Sequence, residues 1–374
     1  MRVVVSGGGT GGHIFPALAV IEALERADPS GERLYIGGST GMETQIVPQA
    51  GVPFQAVTAK KLRKLISPGT IGVALSLFKG YREARTYLKA FRAEAVVGTG
   101  GYVAGAAMLA GVTLGLPTLI LAPDLIPGRT NRLLARFAKK VCVVFPETVP
   151  VLGAAKSVVT GLPLRFGIVL PPTTTPQQAR CSFEGLRPDA FTVLVAGGSQ
   201  GARAVNNLVL GAAPDLLAAG VQILHQTGPK NFDEVTQQAK AQGLTAEKGY
   251  LPLAFFDATR MPLALRAADL FVCRGGISTL SEAMANALPA MVIPLPSAYA
   301  DHQTANARAL ETAGAGLHRA ENSLTASKLS AEILELRAAP ERLVAMSQAS
   351  RALGKADAAD AVAKLILSLR VETY

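Results

Sequence analysis

The feature that most constrains the fold occurs twice: an apolar strand, then a glycine-rich turn, then a helical segment. In the first half, the strand Arg2–Ser6 runs into Gly7–Gly12, and in the second half Phe191–Ala196 runs into Gly197–Gly201. Further apolar strands alternate with helical stretches behind each opening, which is typical of parallel α/β domains. The sequence therefore predicts two Rossmann-like, doubly wound domains that face each other across a cleft, with ligands beyond the carboxyl ends of the strands.

The boundary between the two domains is predicted close to a Pro/Thr-rich stretch at residues 171–176, which suits a linker. We expect an N-terminal domain over 1–165 and a C-terminal domain over 166–351. The last helix, within residues 352–374, is expected to pack back on the N-terminal domain. Further strands are predicted at Arg33–Ile36, Ala95–Val97, Thr118–Ala122, Lys140–Val144, Val221–His225, Leu270–Cys273 and Ala290–Pro294.

One segment has the length of a membrane span, because the twenty residues from Val103 to Ala122 carry no charge. Its glycines and Pro117 divide it, which favours a buried helix followed by a strand.

The chain enters a strand directly after Met1, so we expect no signal peptide. Three widely spaced cysteines suit a reducing cytosol rather than a disulfide framework or a zinc site.

The net charge is confined to one half of the chain. Residues 1–165 hold 19 Lys and Arg against 9 Asp and Glu, whereas residues 166–374 hold 18 of each. Cations alternate with apolar residues in Lys60–Leu65, in the predicted helix Thr70–Arg92 and around Arg129–Lys140. This pattern favours an anionic membrane surface over nucleic acid, because few aromatic side chains are present for base stacking. The core face of that helix is predicted to carry Leu77, Tyr81, Ala84, Leu88 and Phe91.

The first glycine loop, Gly7–Gly12, suits an anion, because its backbone N–H groups lie open before a helix. The loop contains a literal G-x-G-x-x-G, but the second strand runs into Gly37-Gly38 where a nicotinamide site needs an acidic residue. This disfavours a nicotinamide cofactor. His13 follows the loop directly and is the candidate general base, with a plain hydrogen bond to a carbonyl as the alternative.

The second half carries two further candidate loops. A literal G-x-S-x-G surrounds Ser199 and suits either a nucleophile elbow or a loop that binds phosphate or sugar; the duplicated architecture favours the latter. Ile277–Glu282 combines the amides of a helix start with hydroxyls, which predicts a diphosphate cradle. Glu282 is placed to bind a ribose diol, although Thr279-x-x-Glu282 also matches a capping box. Gln303, in a predicted loop, offers an amide for hydroxyl recognition.

Together these motifs resemble the MurG family, and the resemblance runs nearly end to end. The matching segments are Gly8–Pro16, Gly100–Val103, Gly197–Arg203 and Cys273–Glu282. The resemblance implies a GT-B fold and an inverting transfer of N-acetylglucosamine from UDP-N-acetylglucosamine to the muramoyl 4-hydroxyl of lipid I, a polyprenyl-diphosphate-linked muramoyl peptide. It also implies a peripheral enzyme of peptidoglycan synthesis at the cytoplasmic face of the bacterial membrane. We expect no cofactor and no metal.

The resemblance further implies roles for individual residues. Donor binding is implied for Thr10, Gly11, Gly12, Asp124, Arg165, Ser199, Ala258, Ile277, Ser278, Thr279, Leu280, Ser281, Glu282 and Gln303. Acceptor binding is implied for Gly12, His13, Gly101 and Tyr102. Asp124 is the second candidate for the base, because it places a carboxylate where the family has an amide.

The chain departs from the family pattern at three places. Leu121–Asp124 stands where the family carries His-Glu-Gln-Asn, Leu162 replaces an Asn, and Ala258–Met261 lacks an acidic pair. Two alternatives therefore stay open at this point. One is a related GT-B enzyme with a different lipid or small-molecule acceptor, and the other is a non-catalytic protein that binds a UDP-sugar.

Overall fold

The computed structural model describes residues 1–59 and 69–369 and divides into two compact units. The first unit comprises Met1–Phe166 together with Asp357–Tyr374, and the second comprises Gly167–Ala356. The predicted basic segment Lys60–Leu65 lies outside the described residues.

The first unit is built on a parallel sheet of seven strands. These are β1 Arg2–Ser6, β2 Glu32–Gly38, β3 Phe54–Val57, β4 Ala95–Gly98, β5 Thr118–Ala122, β6 Lys140–Val143 and β7 Ser157–Val159. The strand order is β3-β2-β1-β4-β5-β6-β7, so the chain winds outward in both directions from β1 and β4. The connecting helices are α1 Gly11–Ala27, α2 Glu43–Gln49, α3 Gly69–Ala90, α4 Gly101–Thr113, α5 Arg129–Ala135 and α6 Val149–Leu152. Helices cover both faces of such a sheet, which is why the inner strands read as continuous apolar runs.

The second unit repeats the plan with six strands. These are β8 Thr192–Ala196, β9 Gln222–Gln226, β10 Tyr250–Leu253, β11 Leu270–Cys273, β12 Ala290–Val292 and β13 Gly316–His318. Their order is β10-β9-β8-β11-β12-β13, and every pair is parallel. The helices are α7 Pro176–Cys181, α8 Arg203–Ala218, α9 Phe232–Ala241, α10 Arg260–Ala267, α11 Ile277–Ala285, α12 His302–Thr312, α13 Ala326–Ala338 and α14 Pro340–Leu353. Two Rossmann-like, doubly wound domains are thus confirmed.

The last helix, α15 Ala358–Leu367, returns to the first unit and packs on α1. Its side chains Val362 and Ile366 are fully buried in the core that α1 shares with the sheet. On the surface, Arg26 of α1 holds Asp360 of α15 in an ion pair of 2.7 Å. The chain therefore crosses between the units twice, after Phe166 and again after Ala356.

The uncharged stretch from Val103 to Ala122 contributes to α4 and forms all of β5, as the sequence predicted. Within residues 1–59 and 69–369, no helix has both the length and the apolar character needed to cross a membrane. On α3, the predicted core positions Ala84 and Leu88 are buried, but Leu77 is 40% exposed, so its assignment to the core was wrong. Leu77 lies about two turns before Ala84 on α3, and its neighbours Leu75 and Phe78 are also exposed, at 64% and 59%.

Candidate active site

The glycine loops of the first unit lie side by side at the carboxyl edge of its sheet. Since β1 lies between β2 and β4, the segments Gly7–Thr10, Gly37–Gly41 and Thr99–Gly101, which end or follow these strands, are neighbours. A Cβ atom on Gly7 would lie 2.1 Å from the Thr99 hydroxyl oxygen. A Cβ on Gly101, at φ +79°, would lie 2.4 Å from the Gly8 carbonyl oxygen. Only glycine lets the two backbones approach this closely.

A buried carboxylate supports the first loop from the other side. Glu43, the first residue of α2, is fully buried. Its Oε2 accepts a hydrogen bond from the Gly9 amide at 3.2 Å, and its Oε1 accepts one from the Gly38 amide at 3.2 Å. Sequence reasoning missed this residue. The sequence pattern that could have identified it is an acidic residue shortly after the glycine-rich end of β2, because a carboxylate there is placed to bind the backbone amides of the glycine loops rather than a ribose.

His13 lies in the first turn of α1, and the structure fixes its tautomer. Its Nδ1 lies 3.1 Å from the carbonyl oxygen of Thr99, and the Thr99 hydroxyl donates to the His13 carbonyl at 2.7 Å. A carbonyl only accepts, so in the neutral ring Nδ1 carries the proton and Nε2 is the basic nitrogen. The hydrogen bond to a carbonyl, which was the alternative to a catalytic role, is therefore present, and it leaves Nε2 as the basic nitrogen of the neutral ring.

The other sequence-predicted residues of the first unit differ in exposure. Thr10 is exposed at the N-cap of α1, and Gly11 and Gly12 form the first two positions of that helix. The Tyr102 ring packs over Gly9, where a Cβ would lie 3.2 Å from it. Asp124 is half-buried just past the end of β5.

Two of the departures from the family pattern fall largely inside the core of the first unit. Leu121 and Ala122 are buried residues of β5, and Leu162 is also buried, so these side chains contribute to packing. Arg165 follows on the same segment as Leu162 and is half-buried. Of the altered residues Leu121–Asp124 and Leu162, only the acidic Asp124 has both a polar side chain and partial exposure.

In the second unit, Ser199 lies in a tight turn between β8 and α8. The Gly201 amide donates to the Gly198 carbonyl at 3.0 Å, and both glycines have positive φ, +90° at Gly198 and +73° at Gly201. A nucleophile elbow joins strand to helix directly at the serine, whereas here α8 starts only at Arg203. The geometry matches a phosphate- or sugar-binding loop better than a hydrolase nucleophile.

The N-terminus of α11 presents backbone amides and hydroxyls together. Gly276 is the N-cap, so Ile277, Ser278 and Thr279 occupy the first turn and their amides lack helical partners. The alternative of a capping box from Thr279 to Glu282 is therefore wrong, because Thr279 lies inside the helix. The Oγ atoms of Ser278 and Ser281 are buried, and within the described part of the chain neither has a hydrogen-bond partner.

Two residues further along α11, Leu280 and Glu282, differ in their burial. Leu280 is fully buried in the core, so its side chain serves packing. Glu282 lies one turn beyond Ser278, in the same helix. Within the predicted donor segment Ile277–Glu282, the Leu280 side chain is therefore a core residue, whereas Glu282 is half-buried.

Two more predicted donor residues follow β10 and β12, two separate strands whose carboxyl ends lie at the same edge of the sheet. Ala258 follows Asp257, whose carboxylate accepts from the Thr259 hydroxyl at 2.7 Å and from the Arg260 amide at 2.9 Å. These hydrogen bonds hold the pKa of Asp257 below its usual value, the Thr259 hydroxyl contributing most. Gln303 lies in the first turn of α12 rather than in the predicted loop, and its Oε1 accepts from the Leu295 amide at 2.9 Å.

Comparison with known proteins assigns both units. The glycosyltransferase family 28 N-terminal domain matches residues 3–143, and the family 28 C-terminal domain matches residues 192–362. The two domain matches and the fold therefore define a family 28 glycosyltransferase of the GT-B type.

Similar proteins narrow the assignment. The UDP-N-acetylglucosamine–N-acetylmuramyl-(pentapeptide) pyrophosphoryl-undecaprenol N-acetylglucosamine transferase of Desulfitobacterium hafniense is 41% identical over 98% of this chain and 99% of its own length. The protein of the same name from Desulforudis audaxviator is 40% identical over 99% of this chain and 98% of its own length. The crystal structure of Acinetobacter baumannii MurG covers 98% of this chain and 99% of its own, with 29% identity and a TM-score of 0.76. The chain belongs to the MurG family.

Proposed function

We propose that this protein transfers N-acetylglucosamine from UDP-N-acetylglucosamine to the 4-hydroxyl of the muramoyl sugar of lipid I, which yields lipid II for peptidoglycan. The observation that carries the proposal is the identity of about 40% over the whole chain to relatives named for this transfer. The arrangement of amides, hydroxyls and an oriented histidine at the two sheet edges supplies the groups that such a reaction requires.

The donor is held by the second unit. The first-turn amides of α11 and the partial positive charge of the helix start stabilise the diphosphate, and this stabilisation increases as UDP departs with added negative charge. The buried hydroxyls of Ser278 and Ser281 gain partners when a phosphate or sugar oxygen arrives. Glu282 accepts from the ribose hydroxyls, Ser199 and Gln303 bind the sugar side, and Ala258 lies at the base. Arg165 adds a cation for the nucleotide.

The chemical step is a single displacement with inversion. Nε2 of His13 takes the proton of the acceptor hydroxyl while that oxygen attacks the anomeric carbon, and the bond from this carbon to the UDP oxygen breaks. Both electrons of the broken bond leave with UDP. The Thr99 carbonyl stabilises the imidazolium that forms, because its oxygen accepts a hydrogen bond from Nδ1–H throughout the step. Asp124 is the second candidate for the base.

The loops at the carboxyl edge of the first unit are proposed to hold the acceptor. Thr10, Gly11 and Gly12 start α1, where helix amides favour the acceptor diphosphate. The Gly101 backbone and the Tyr102 ring lie against the same loop. Because Leu121 and Ala122 are core residues, the altered segment changes only Asp124 at this edge, which supports lipid I over a different acceptor.

Membrane attachment is proposed for a surface of α3 and α5 in the first unit. Phe78 is 59% exposed and Phe137 is 56% exposed, and each is flanked by cations along its helix or just beyond it. The flanking residues are Lys79, Arg82, Arg85, Arg132, Arg136 and Lys139. Apolar side chains that enter the headgroup region together with cations that attract anionic lipid suit a peripheral protein at the cytoplasmic face of the membrane.

The proposed function is tested by turnover with lipid I or a short-chain analogue. UDP release and formation of the disaccharide product are measured by mass spectrometry, with lipid-free hydroxyl compounds as competing acceptors. We expect a disaccharide only with the muramoyl diphosphate lipid. Transfer to another acceptor alone would indicate a related glycosyltransferase, and binding of the donor without transfer would indicate a non-catalytic UDP-sugar-binding protein.

A further inference from the structure

One buried side chain connects two of the loops assigned to the donor. Gln226, the last residue of β9, is buried, and its Nε2 donates to the carbonyl of Gly198 at 3.2 Å. Its Oε1 accepts from the backbone amide of Phe256 at 2.8 Å. Gly198 lies in the turn that carries Ser199, and Phe256 lies in the loop after β10 that carries Ala258. A single amide group therefore joins two segments that are far apart in sequence.

The residues that follow Gln226 bring the same two loops close together. The Thr227 amide donates to the Leu253 carbonyl at 2.9 Å and so extends the pairing with β10 toward the second loop. Gly201 packs against the Thr227 backbone, where a Cβ would lie 1.9 Å from the carbonyl oxygen. A Cβ on Gly228, at φ +86°, would lie 2.3 Å from the Gln200 carbonyl. Both loops thus rest on the end of β9, and neither shifts without disturbing it.

A second buried network holds the end of β9 itself in place. His225 is fully buried, with Nδ1 at 2.8 Å from the Tyr250 hydroxyl and Nε2 at 3.1 Å from the Asn206 Oδ1. The Asn206 side-chain nitrogen donates in turn to the Thr227 carbonyl at 2.9 Å. These contacts connect β9 to α8 and β10, and the Gln226 side chain adds a hydrogen bond to each of the two loops.

We propose that Gln226 is a positioning residue that holds the Ser199 loop and the Ala258 loop in the spacing needed to bind a uridine diphosphate. The chemistry at its two ends requires an amide, because one end faces a carbonyl and needs a donor while the other faces an N–H and needs an acceptor. This inference rests on the proposed function and adds the residue that sets the geometry of the nucleotide site.

The test compares two glutamines of one strand. Gln226→Met removes both hydrogen bonds with little change in volume, and Gln222→Met is the matched control. Gln222 is also fully buried in β9, but its side chain bonds to the amide and carbonyl of Arg187 at the opposite end of the strand, at 2.9 Å each. Each full-length protein is titrated with UDP by calorimetry, and its Tm is measured alongside.

We expect Gln226→Met to raise the Kd for UDP by about tenfold or more, the scale of a lost buried hydrogen-bond partner. The KM for UDP-N-acetylglucosamine rises in parallel, while kcat at saturating donor and the KM for the acceptor stay within about twofold. Gln222→Met lowers Tm and leaves the Kd unchanged. If Gln226→Met does not fold, Gln226→Glu is used, because a carboxylate keeps the acceptor for Phe256 and loses only the donor to Gly198. We expect Gln226→Glu to weaken UDP binding as well.

Two results would overturn the inference while leaving the proposed function intact. One is wild-type affinity for UDP in the folded Gln226 variants. The other is an equal loss of affinity in Gln222→Met, which would show that destabilising the strand is enough. Absence of UDP binding by the unaltered protein would instead overturn the proposed function, and this inference with it.

Discussion

The carboxylate of Glu43 lies against the first glycine loop, where its Oε2 accepts a hydrogen bond from the Gly9 amide at 3.2 Å. Gly9 directly precedes Thr10, the N-cap of α1, and α1 carries His13 in its first turn. The same carboxylate holds the end of β2 through the Gly38 amide. One buried carboxylate therefore fixes the conformation of the loop that leads into α1, the helix that carries the candidate base.

Replacement of Glu43 by Gln tests this relationship. An amide retains one acceptor oxygen but presents its NH2 group to the second backbone N–H, so one buried hydrogen bond is lost and two donors oppose each other. We expect kcat to fall by roughly tenfold or more, because small displacements of a catalytic group are costly. UDP affinity, measured by calorimetry, stays unchanged because the donor groups of the second unit are untouched.

Asp28→Asn is the matched control for Glu43→Gln. Asp28 belongs to the same unit and pairs with the N-terminal ammonium at 2.7 Å, remote in sequence from the loop. This contact, the largest cause, holds the pKa of Asp28 below its usual value. The control should lower Tm without a matching fall in kcat. An equal fall in kcat in both variants would assign Glu43 to stability alone.

His13→Ala is expected to lower kcat by about 10²-fold or more, the range for a lost general base. The Kd for UDP stays close to that of the unaltered protein, since His13 is assigned to the acceptor. His318→Ala, a half-buried histidine of β13 in the second unit, is the control and keeps full turnover. Steady-state kinetics with lipid I measure both variants. Unchanged turnover in His13→Ala would leave Asp124 as the base.

The inner strands of both sheets could be predicted from sequence, and the edge strands could not. β3, β7, β10 and β13 were not predicted, and each is the terminal strand of its sheet. Edge strands are covered on fewer sides, so they are short and only partly buried; β7, for example, has no fully buried residue. A continuous apolar run is the signal of a strand covered on both faces, and this signal fades at the edge.

The candidate site, too, could be predicted only in part from the sequence. Glycine loops and helix starts are visible in sequence because their function depends on adjacent residues. Glu43 and Gln226 act on loops that precede or follow them by about 30 residues, through contacts that exist only once parallel strands pair. A buried polar residue at a strand end is ambiguous in sequence, since the partner that justifies its burial is unknown before folding.

Phe78→Asp tests the proposed membrane surface. A carboxylate at this exposed position on α3 opposes both insertion into the headgroup region and attraction to anionic lipid. We expect cosedimentation with phosphatidylglycerol vesicles to fall several-fold and to depend on salt concentration. Val344→Asp, at a 56% exposed position on α14 of the second unit, is the control and binds vesicles normally. Equal binding by both variants would place the membrane contact elsewhere.

Catalysis is expected to survive treatment with EDTA. The leaving diphosphate is assigned to the amides of α11 and to the guanidinium of Arg165, which stabilise its negative charge without a metal ion. Within residues 1–59 and 69–369, no cluster of three or more His, Cys, Asp or Glu is arranged to hold a metal ion. Turnover is measured with and without chelator, and then with added Mg²⁺. Loss of activity that Mg²⁺ restores would contradict the prediction.

The buried His225 predicts how stability depends on pH. Burial lowers the pKa of His225 from 6.5 to about 3, so the folded protein keeps this ring neutral where the unfolded chain binds a proton. The contribution of His225 to the free energy of unfolding is therefore fully present above about pH 6.5 and is lost as the pH falls toward 3. The loss between pH 7 and pH 5 is about 2 kcal/mol. Urea unfolding followed by circular dichroism at these two pH values measures the change. His225→Gln removes this contribution, and comparing the two proteins isolates it, because Asp269, whose pKa burial raises, contributes equally to both. An identical pH dependence in both proteins would show that His225 does not control it.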